Sequence, residues 1–535
     1  MALDAIIISD SGVDTVSGTN PLRLNLDGRT ADIQVILNYL KHGGQIKIPI
    51  EGDGFMSWAS APKLNGIYLF SYLIKHTFDV ELINSFYNEK NRFRRLLERR
   101  PRAVIISTTF MVGKQTLRKL IEDIRNIAPD VFIIVGGSFV YLSYLMLQRS
   151  HEPNYDTASA KDDFLFLGID DEPAVDLYII SLRGEQILCD ALEKIKKSQP
   201  IDDLPNSARL EGRAYHFTRQ IDDITEADGF FIDWESLPGS IFNAGVVPMQ
   251  ASIGCSYDCA FCNFTKDRRL TCIKPLDKLV AELKAVSERG IRYVWFVDDN
   301  FRLGKGDLNA VCQRFIDEGI SIQWMTFIRA STLKKIDVEL LRRAGCTEVQ
   351  LGLESADPQM LKYMNKKTNP HLYDEVLKKL LSGGINCSCY FIFGFPGETN
   401  ESVRRTREFI ENHEYPEFEG NLAWSIYPFI LTPLSPIYKP EMRKKYNLTG
   451  YLHTWQHQTM NTDQAKEHIV KTFFELNNSG PIYRGDNLDI FHRMGSKRRK
   501  SFESVRHRLS KIALKGQIEK QDIIQSFNHV LSEML

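Results

Sequence analysis

The sequence has no excess of charge of one sign, because 67 lysines and arginines stand against 68 aspartates and glutamates in 535 residues. A near-neutral chain gives no electrostatic reason to expect nucleic acid or an anionic membrane as its partner. It also has no apolar run approaching the ~20 residues that cross a bilayer, and the longest, Ile67–Ile74, is interrupted by Tyr and Ser. No apolar signal segment is found, so we expect a cytoplasmic protein.

Cysteine is scarce as well, with nine residues in the whole chain. So low a fraction excludes a disulfide scaffold. Five of the cysteines fall on apolar strands or helices and are interpreted as core thiols, namely Cys189, Cys312, Cys346, Cys387 and Cys389. Three others lie within eight residues, on a loop that is predicted to follow an apolar strand: Cys255, Cys259 and Cys262.

The spacing of this cysteine loop suits an iron–sulfur cube, of which three thiolates hold three corners and leave the fourth iron open. A structural zinc site is the alternative, and its only nearby fourth ligand is Cys272. With Phe261 before the last cysteine, the C-x3-C-x2-C pattern resembles the signature of the radical S-adenosylmethionine (SAM) superfamily. That resemblance implies that Cys255, Cys259 and Cys262 ligate a [4Fe–4S] cluster and that SAM binds the open iron.

Short β-rich runs alternate with helical stretches from about Val246 onward, which predicts parallel βα units. The predicted strands are Val246–Ser252, Tyr293–Val297, Ile322–Ile328, Glu348–Gly352, Asn386–Phe393 and Asn421–Pro428. In such barrels ligands sit on loops at the carboxyl ends of the strands, and the cysteine loop follows the first strand. We therefore expect an α/β fold with a partial (β/α)6 barrel of the TIM type over residues 243–440.

The segments after the later strands resemble, in order, the SAM-binding segments of the radical SAM barrel. Asp298 follows the second strand and Arg329 the third, while Glu354 ends the fourth and Gly394 opens a Gly-Phe-Pro-Gly-Glu-Thr turn after the fifth. The resemblance covers about Asn243–Lys439 and implies that these four residues surround SAM, with Glu354 at its ribose or carboxylate. A capping or ion-pair role for Glu354, and a solvated turn at Asp298, stay open as alternatives.

The first 185 residues predict a separate, doubly wound α/β unit. Its predicted strands and helices are Gly66–Lys75, Asp79–Asn84, Phe93–Arg99, Ala103–Thr108, Lys114–Asn126, Val131–Val135 and Asp163–Gly168. This Rossmann-like unit resembles cobalamin-binding domains, which carry a Ser-x-Leu element and a Gly-Gly pair at successive strand ends. Ser107 and Thr109 hold the first place and Gly136 and Gly137 the second, with 26 residues between them. The resemblance implies that these four residues line the cobalamin tail.

The upstream Asp-x-His-x-x-Gly element of such domains is kept only in Gly66, because Ala61 and Lys63 replace its Asp and His. We therefore expect Lys63 and Gly66 to lie towards the corrin and no protein histidine to bind cobalt. Residues Gly168–Pro173 stand where this class has a Gly-Glu loop. A generic Rossmann domain without cobalamin is the alternative interpretation.

The remaining segments are assigned from composition. Residues 186–242 are rich in Asp, Pro and Gly and are predicted to be a linker. Residues 441–535 are predicted to form a helical carboxyl-terminal domain that packs over the barrel mouth. Within it, the basic run Lys497–Lys500 is interpreted as a solvated turn rather than a phosphate contact.

Together the resemblances imply a cobalamin-dependent radical SAM enzyme that methylates an unactivated carbon of a biosynthetic small molecule or peptide, with methylcobalamin as the methyl donor. Reductive cleavage of SAM to a 5′-deoxyadenosyl radical requires an external electron donor of the flavodoxin or ferredoxin type. Radical ring rearrangement or cyclisation, a cobalamin-free radical SAM enzyme, and a non-catalytic iron–sulfur or zinc module for nucleic acid are the alternatives. Sulfur insertion into RNA is disfavoured, because such enzymes carry extra cysteines in their amino-terminal domain and none precedes Cys189 here.

Overall fold

A computed structural model describes residues 3–12, 22–47, 62–168, 173–222, 230–263, 272–302, 307–483, 485–486, 490–491 and 494–531. They form two compact units, the first within Met1–Val16 and Ala59–Ile241 and the second within Ser17–Trp58 and Phe242–Leu535. Each unit is built on one seven-stranded sheet. In the part of the chain covered by these ranges, every helix is too short or too polar to cross a membrane.

The strands of the described residues are numbered in chain order. They are β1 Ala5–Ile8, β2 Asn25–Leu26, β3 Arg29–Thr30, β4 Val80–Ile83, β5 Ala103–Ser107, β6 Phe132–Gly136, β7 Leu177–Ile179, β8 Ser207–Glu211, β9 Ala214–Phe217, β10 Val246–Met249, β11 Ser252–Ile253, β12 Cys272–Ile273, β13 Tyr293–Phe296, β14 Gln323–Phe327, β15 Cys346–Glu354, β16 Asn386–Phe393, β17 Leu422–Pro428, β18 Thr449–Tyr451, β19 Thr454–His457, β20 Met460–Asn461 and β21 Gly480–Pro481.

The α-helices are numbered in the same way. They are α1 Ile33–Lys41, α2 Leu64–Lys75, α3 Lys90–Leu97, α4 Lys114–Ile127, α5 Ser138–Arg149, α6 Glu185–Lys196, α7 Leu276–Glu288, α8 Leu308–Asp317, α9 Ala330–Leu333, α10 Val338–Arg343, α11 Pro358–Tyr363, α12 Pro370–Ser382, α13 Asn400–Glu411, α14 Pro440–Tyr446, α15 Thr462–Glu475, α16 Ser496–Leu514 and α17 Lys520–Leu531.

The sheet of the first unit has the order β4-β1-β5-β6-β7-β8-β9. Its first five strands are parallel and β8 and β9 are antiparallel. The parallel part follows the flavodoxin-like order 2-1-3-4-5, which confirms the predicted doubly wound fold. A strand that the sequence analysis did not predict, β1, lies within it with all four residues buried.

The strand predicted at Asp163–Gly168 is wrong, because this segment forms turns and the fifth parallel strand is β7. Phe166 has φ 71, in the left-handed region that interrupts an extended backbone. Its ring packs edge-on against Tyr178 and Tyr215 at centroid distances of 5.3 and 4.9 Å. The apolar residues of this segment therefore belong to the core without forming a strand.

The two units divide the chain differently from the predicted boundaries. The stretch predicted as a linker, residues 186–242, contains most of α6 together with β8 and β9, which extend the first sheet. Helix α1 belongs to the second unit, where Ile33 and Ile36 share a core with Phe502 of α16 and Phe527 of α17. An early segment thus packs with the end of the chain.

The sheet of the second unit has the order β10-β13-β14-β15-β16-β17-β21, and its strands are all parallel. This confirms the partial barrel and all six of its predicted strands, to which β21 adds a short edge. Trp324 packs edge-on against Phe315 of α8, so alternate residues of β14 face the helices and the others the inner surface.

The basic run of the carboxyl-terminal region does not form the predicted solvated turn, because it lies in α16. The Arg499 side chain is 11% exposed and pairs with Glu503, at 2.9 Å, and with Glu348 of β15, at 3.4 Å. Arg499 and Glu503 share a helix face at a spacing of four residues. The region also contains the small antiparallel sheet β18-β19-β20 besides its helices.

Candidate functional site

The cysteine loop begins just after β11, at the carboxyl end of β10. Cys259 is buried, Cys255 and Cys262 are half-buried, and within the described residues none of the three forms a disulfide. The described residues hold no group of three or more His, Cys, Asp or Glu side chains that could hold a single metal ion. In an iron–sulfur cube each thiolate binds a different iron, and three thiols on one short loop suit such a cluster.

Arg329 brings positive charge to this loop from the end of β14, where it caps α9. Its Nη1 atom lies 3.6 Å from Cys259 Sγ, and its guanidinium carbon lies 3.6 Å from the centre of the Tyr257 ring. The guanidinium therefore donates towards a sulfur atom of the cysteine loop. Of the predicted SAM residues, Arg329 is the one that touches a cysteine.

Glu354, the last residue of β15, is buried and has φ 65. Its Oε1 atom lies 2.8 Å from Lys366 Nζ, and the two side chains are 11% and 8% exposed. A Cβ atom on Gly352 would lie 2.5 Å from that carboxylate oxygen, so the glycine leaves room for the ion pair. The ion-pair alternative for Glu354 is thus realised in the structure, and a partner that the sequence analysis missed, Lys366, provides it.

Asp298 is buried just after β13 and holds the segment before the cysteine loop by hydrogen bonds. Its carboxylate accepts hydrogen bonds from the backbone of Ala251, at 3.2 Å, and from the backbone and hydroxyl of Ser252. Burial raises the pKa of Asp298 to about 7, although these hydrogen bonds oppose the rise. The next carboxylate, Asp299, accepts from the Gly254 backbone at 2.9 Å. Asp298 is therefore engaged within the protein rather than solvated.

Gly394, at the end of β16, has φ 92 and no room for a side chain. A Cβ atom there would lie 2.3 Å from Trp455 Cη2. Its N–H donates to the Glu398 carboxylate, and its carbonyl lies 3.1 Å from His457 Nε2. Burial raises the pKa of Glu398 to about 8. The sheet that contains Trp455 and His457 therefore supports this turn, a contact that only the folded chain reveals.

A second candidate site is a cavity of about 140 Å³ in the first unit, at the carboxyl ends of β5, β6 and β7. Four of the predicted cobalamin residues line it: Ser107, Thr109, Gly136 and Gly137. Asn65 of α2 also lines it, donating to Ser9 O at 2.7 Å and Ser107 Oγ at 2.8 Å, while its own buried Oδ1 atom has no hydrogen-bond partner within the described ranges. Ligands of such sheets bind at this edge.

The two glycines of the pair differ in the space that a side chain would have. Gly137 has φ 104, and a Cβ atom on it would lie 3.1 Å from Thr108 N, whereas one on Gly136 would have ordinary contacts at 3.5 Å. At this edge of the sheet, Gly137 is therefore the position at which a side chain would crowd the neighbouring backbone. A ligand at this edge could therefore approach the backbone of Gly137 closely.

Lys63 and Gly66 do not line this cavity. Lys63 is 2% exposed and precedes α2, with its ammonium 5.6 Å from the centre of the Phe110 ring. Gly66 lets α2 approach β1, because a Cβ atom on it would lie 1.7 Å from Ser9 Oγ. Ala61 and most of the predicted Gly-Glu loop, residues 169–172, lie outside the described residues.

Comparison with known families points to the same barrel. Residues 249–410, from the end of β10 into α13, match the family model of the radical SAM superfamily. The chain is 26% identical over 335 residues to an uncharacterized methyltransferase of Pyrococcus horikoshii, over 59% of this chain and 65% of the relative. It is 26% identical over 339 residues to the anaerobic magnesium-protoporphyrin IX monomethyl ester cyclase of Cereibacter sphaeroides, over 59% and 54%. The match thus spans between half and two thirds of these relatives.

Solved structures extend the likeness to both units. The cobalamin-dependent SAM radical enzyme OxsB, with aqua-cobalamin bound, superposes with a TM-score of 0.59 at 15% identity, over 99% of this chain and 76% of that one. The radical SAM methyltransferase TsrM of Kitasatospora setae gives 0.54 at 15%, over 83% and 78%. Residues 249–410 therefore form a radical SAM domain. The chain as a whole shares its fold with the cobalamin-dependent radical SAM enzyme OxsB and with TsrM.

Proposed function

We propose that this protein is a cobalamin-dependent radical SAM methyltransferase that acts on an unactivated carbon of a small molecule or peptide. The observation that carries the proposal is the cavity lined by Ser107, Thr109, Gly136 and Gly137 in a chain that also carries a radical SAM barrel. In this proposal the first unit supplies the corrinoid site, and the barrel of residues 243–440 supplies the cluster and SAM sites. The methyltransferase names of one relative and one structural neighbour support it.

In the second unit, Cys255, Cys259 and Cys262 would hold a [4Fe–4S] cluster, with Arg329 Nη1 lying 3.6 Å from Cys259 Sγ. When bound and reduced by a flavodoxin or ferredoxin, such a cluster supplies the electron that cleaves SAM. Glu354 would accept hydrogen bonds from the ribose, and the turn that begins at Gly394 would contact the adenine. Glu354→Ala is expected to weaken SAM binding while iron and sulfide stay at wild-type levels. Unchanged SAM affinity in calorimetry would remove Glu354 from the site.

In the first unit, Ser107, Thr109, Gly136 and Gly137 would cradle the cobalamin tail, and Asn65 Oδ1 offers a buried acceptor to which no described residue donates. Cobalamin, when bound, supplies a carrier for the methyl group. No histidine stands at position 63, so the corrinoid should be base-off without a protein nitrogen on cobalt. Its absorption spectrum tests this ligation independently of turnover.

The inner face of the barrel offers a substrate surface. Half-buried aromatic rings extend across neighbouring strands. The ring centroid of Phe327 lies 6.3 Å from that of Trp295 and 5.8 Å from that of Tyr390. The Tyr427 centroid lies 6.5 Å from that of Tyr390. Three buried polar atoms of these strands lack a hydrogen-bond partner among the described residues: Trp295 Nε1, Gln350 Oε1 and Ser425 Oγ. Buried polar atoms are rarely left unpaired, so a substrate with an apolar body and polar groups suits this surface.

The proposal is tested with anaerobically reconstituted protein, reductant, hydroxocobalamin, methyl-deuterated SAM and candidate metabolites. We expect retention of a corrinoid and transfer of the labelled methyl group to one metabolite, read by mass spectrometry. A wild-type protein that retains no corrinoid would contradict the proposal and leave a cobalamin-free radical SAM enzyme.

Ring closure is the second candidate, because one relative is named as a cyclase. The same assay separates the two reactions, since cyclisation removes hydrogen from the product without adding the labelled methyl group.

A further inference from the structure

Helix α11 and the turn that follows it are held by hydrogen bonds at both ends of the helix. At its start, the Asp357 carboxylate accepts from the backbone of Met360 and from Arg405, each at 2.9 Å. At its end, Asn365 has φ 51, a left-handed conformation that asparagine tolerates at helix ends. The Lys366 N–H then closes the turn on Leu361 O at 2.9 Å. The turn is therefore a rigid extension of the helix.

This turn holds the cysteine loop on both sides of Cys259. The Ala260 N–H donates to Met364 O at 2.9 Å, and the Asn365 amide donates to Asp258 O at 2.8 Å. Asp258 and Ala260 are the two chain neighbours of Cys259. The two hydrogen bonds therefore fix the backbone of that cysteine relative to α11.

The same turn also holds two of the residues proposed to contact SAM. The Lys366 ammonium pairs with Glu354 at 2.8 Å, and the Lys366 carbonyl accepts from the Arg329 guanidinium. Tyr363, the last residue of α11, faces Gly397 in the turn that begins at Gly394, since a Cβ atom on Gly397 would lie 2.8 Å from its ring. One short element thus contacts the cysteine loop and the segments that contain Arg329, Glu354 and Gly394.

We infer that Asn365 and Lys366 are positioning residues that set the cluster loop and the SAM-binding side chains in one frame, an inference that rests on the proposed function. SAM has to reach the open iron with its amino and carboxylate groups while its ribose meets Glu354. Such a constellation loses rate and affinity when its parts are misplaced by about 1 Å. Lys366 also balances the charge of Glu354, since a buried carboxylate without a partner is costly to maintain.

The test compares Lys366→Met, Lys366→Arg and Asn365→Gly in the anaerobically reconstituted full chain. Lys367→Met is the matched control, because Lys367 is the next residue of the same turn but has an exposed side chain. SAM affinity is measured by calorimetry, and the reduced protein is examined by electron paramagnetic resonance (EPR) with and without SAM. Iron and sulfide are counted for each variant.

We expect Lys366→Met to keep its iron and sulfide but to bind SAM at least ~10-fold more weakly, whereas Lys366→Arg and Lys367→Met stay within about threefold of wild type. Asn365→Gly should change the EPR spectrum without SAM, because it frees the backbone beside Cys259. Lys366→Met that binds SAM as tightly as Lys367→Met overturns the inference. If Lys366→Met does not fold, Lys366→Arg provides the test. This variant keeps the cation, so a tenfold loss of its SAM affinity would also overturn the inference. A wild-type protein that does not bind SAM refutes the proposed function itself.

Discussion

Gly394→Ala tests the close packing around the turn after β16. The residue has φ 92, and a non-glycine side chain in that region costs about 1–2 kcal/mol. Its Cβ atom would lie 2.3 Å from Trp455 Cη2 and 2.8 Å from Ala465 Cβ. Trp455 cannot easily withdraw, because its indole donates to Phe429 O at 2.7 Å and stacks on His457. Overpacking of this kind adds about 1–3 kcal/mol, so we expect a total loss of about 2–5 kcal/mol.

Gly290→Ala is the matched control in the same unit, because Gly290 has φ 80 but no atom within 4 Å of its added Cβ. It should show only the backbone cost of about 1–2 kcal/mol. The free energy of unfolding is measured by urea titration, and SAM affinity by calorimetry on the folded fraction. We expect Gly394→Ala to be the less stable variant and the only one with weakened SAM binding. Equal destabilisation of the two variants would refute the role given to Trp455.

Three further predictions test other parts of the structure. Gly137→Trp should lower corrinoid retention in reconstituted protein, whereas Gly113→Trp, whose added Cβ would meet nothing closer than 3.9 Å, should not; equal retention would contradict the cobalamin site. Burial raises the pKa of Glu398 to about 8, so the folded protein loses stability as pH rises towards that value. In urea titrations from about pH 5 to 9, Glu398→Gln should remove on the order of 2 kcal/mol of this loss. A variant with the same pH dependence as wild type would contradict the raised pKa. Arg499→Met should cost about 3–5 kcal/mol in urea titrations by leaving buried carboxylates unpaired, against a negligible change for the exposed Lys497→Met, and similar midpoints would refute the buried ion pair.

The barrel was predictable because each of its strands is a short apolar run ended by turn residues. The prediction at Asn386–Phe393 agrees with β16 at both ends. Strand β1 was missed because its four residues form a short run near the start of the chain, where apolar character alone does not separate strand from helix. Asp163–Gly168 failed in the opposite way, since its aromatic residues fill the core without extending the sheet.

The candidate site was predictable where the chain order carries the information. The cysteine spacing and the strand ends indicated Cys255, Arg329 and Glu354 before the fold was known. Contacts between distant residues left no such signal. Lys366 resembles any surface lysine in the sequence, and only the turn after α11 brings it to Glu354. Arg499 was misjudged for the same reason, because its partner Glu348 lies 151 residues away.

The central claim is that this chain uses three cysteines of one loop to cleave SAM reductively. Its most direct test is the formation of 5′-deoxyadenosine and methionine from SAM by anaerobically reconstituted and reduced protein, quantified by mass spectrometry. We predict that wild type forms both products, and that the variant with Cys255, Cys259 and Cys262 replaced by Ala forms neither, while Cys312→Ala, a buried core thiol, behaves as wild type. Wild-type protein with a full complement of iron and sulfide that yields no 5′-deoxyadenosine would contradict the account.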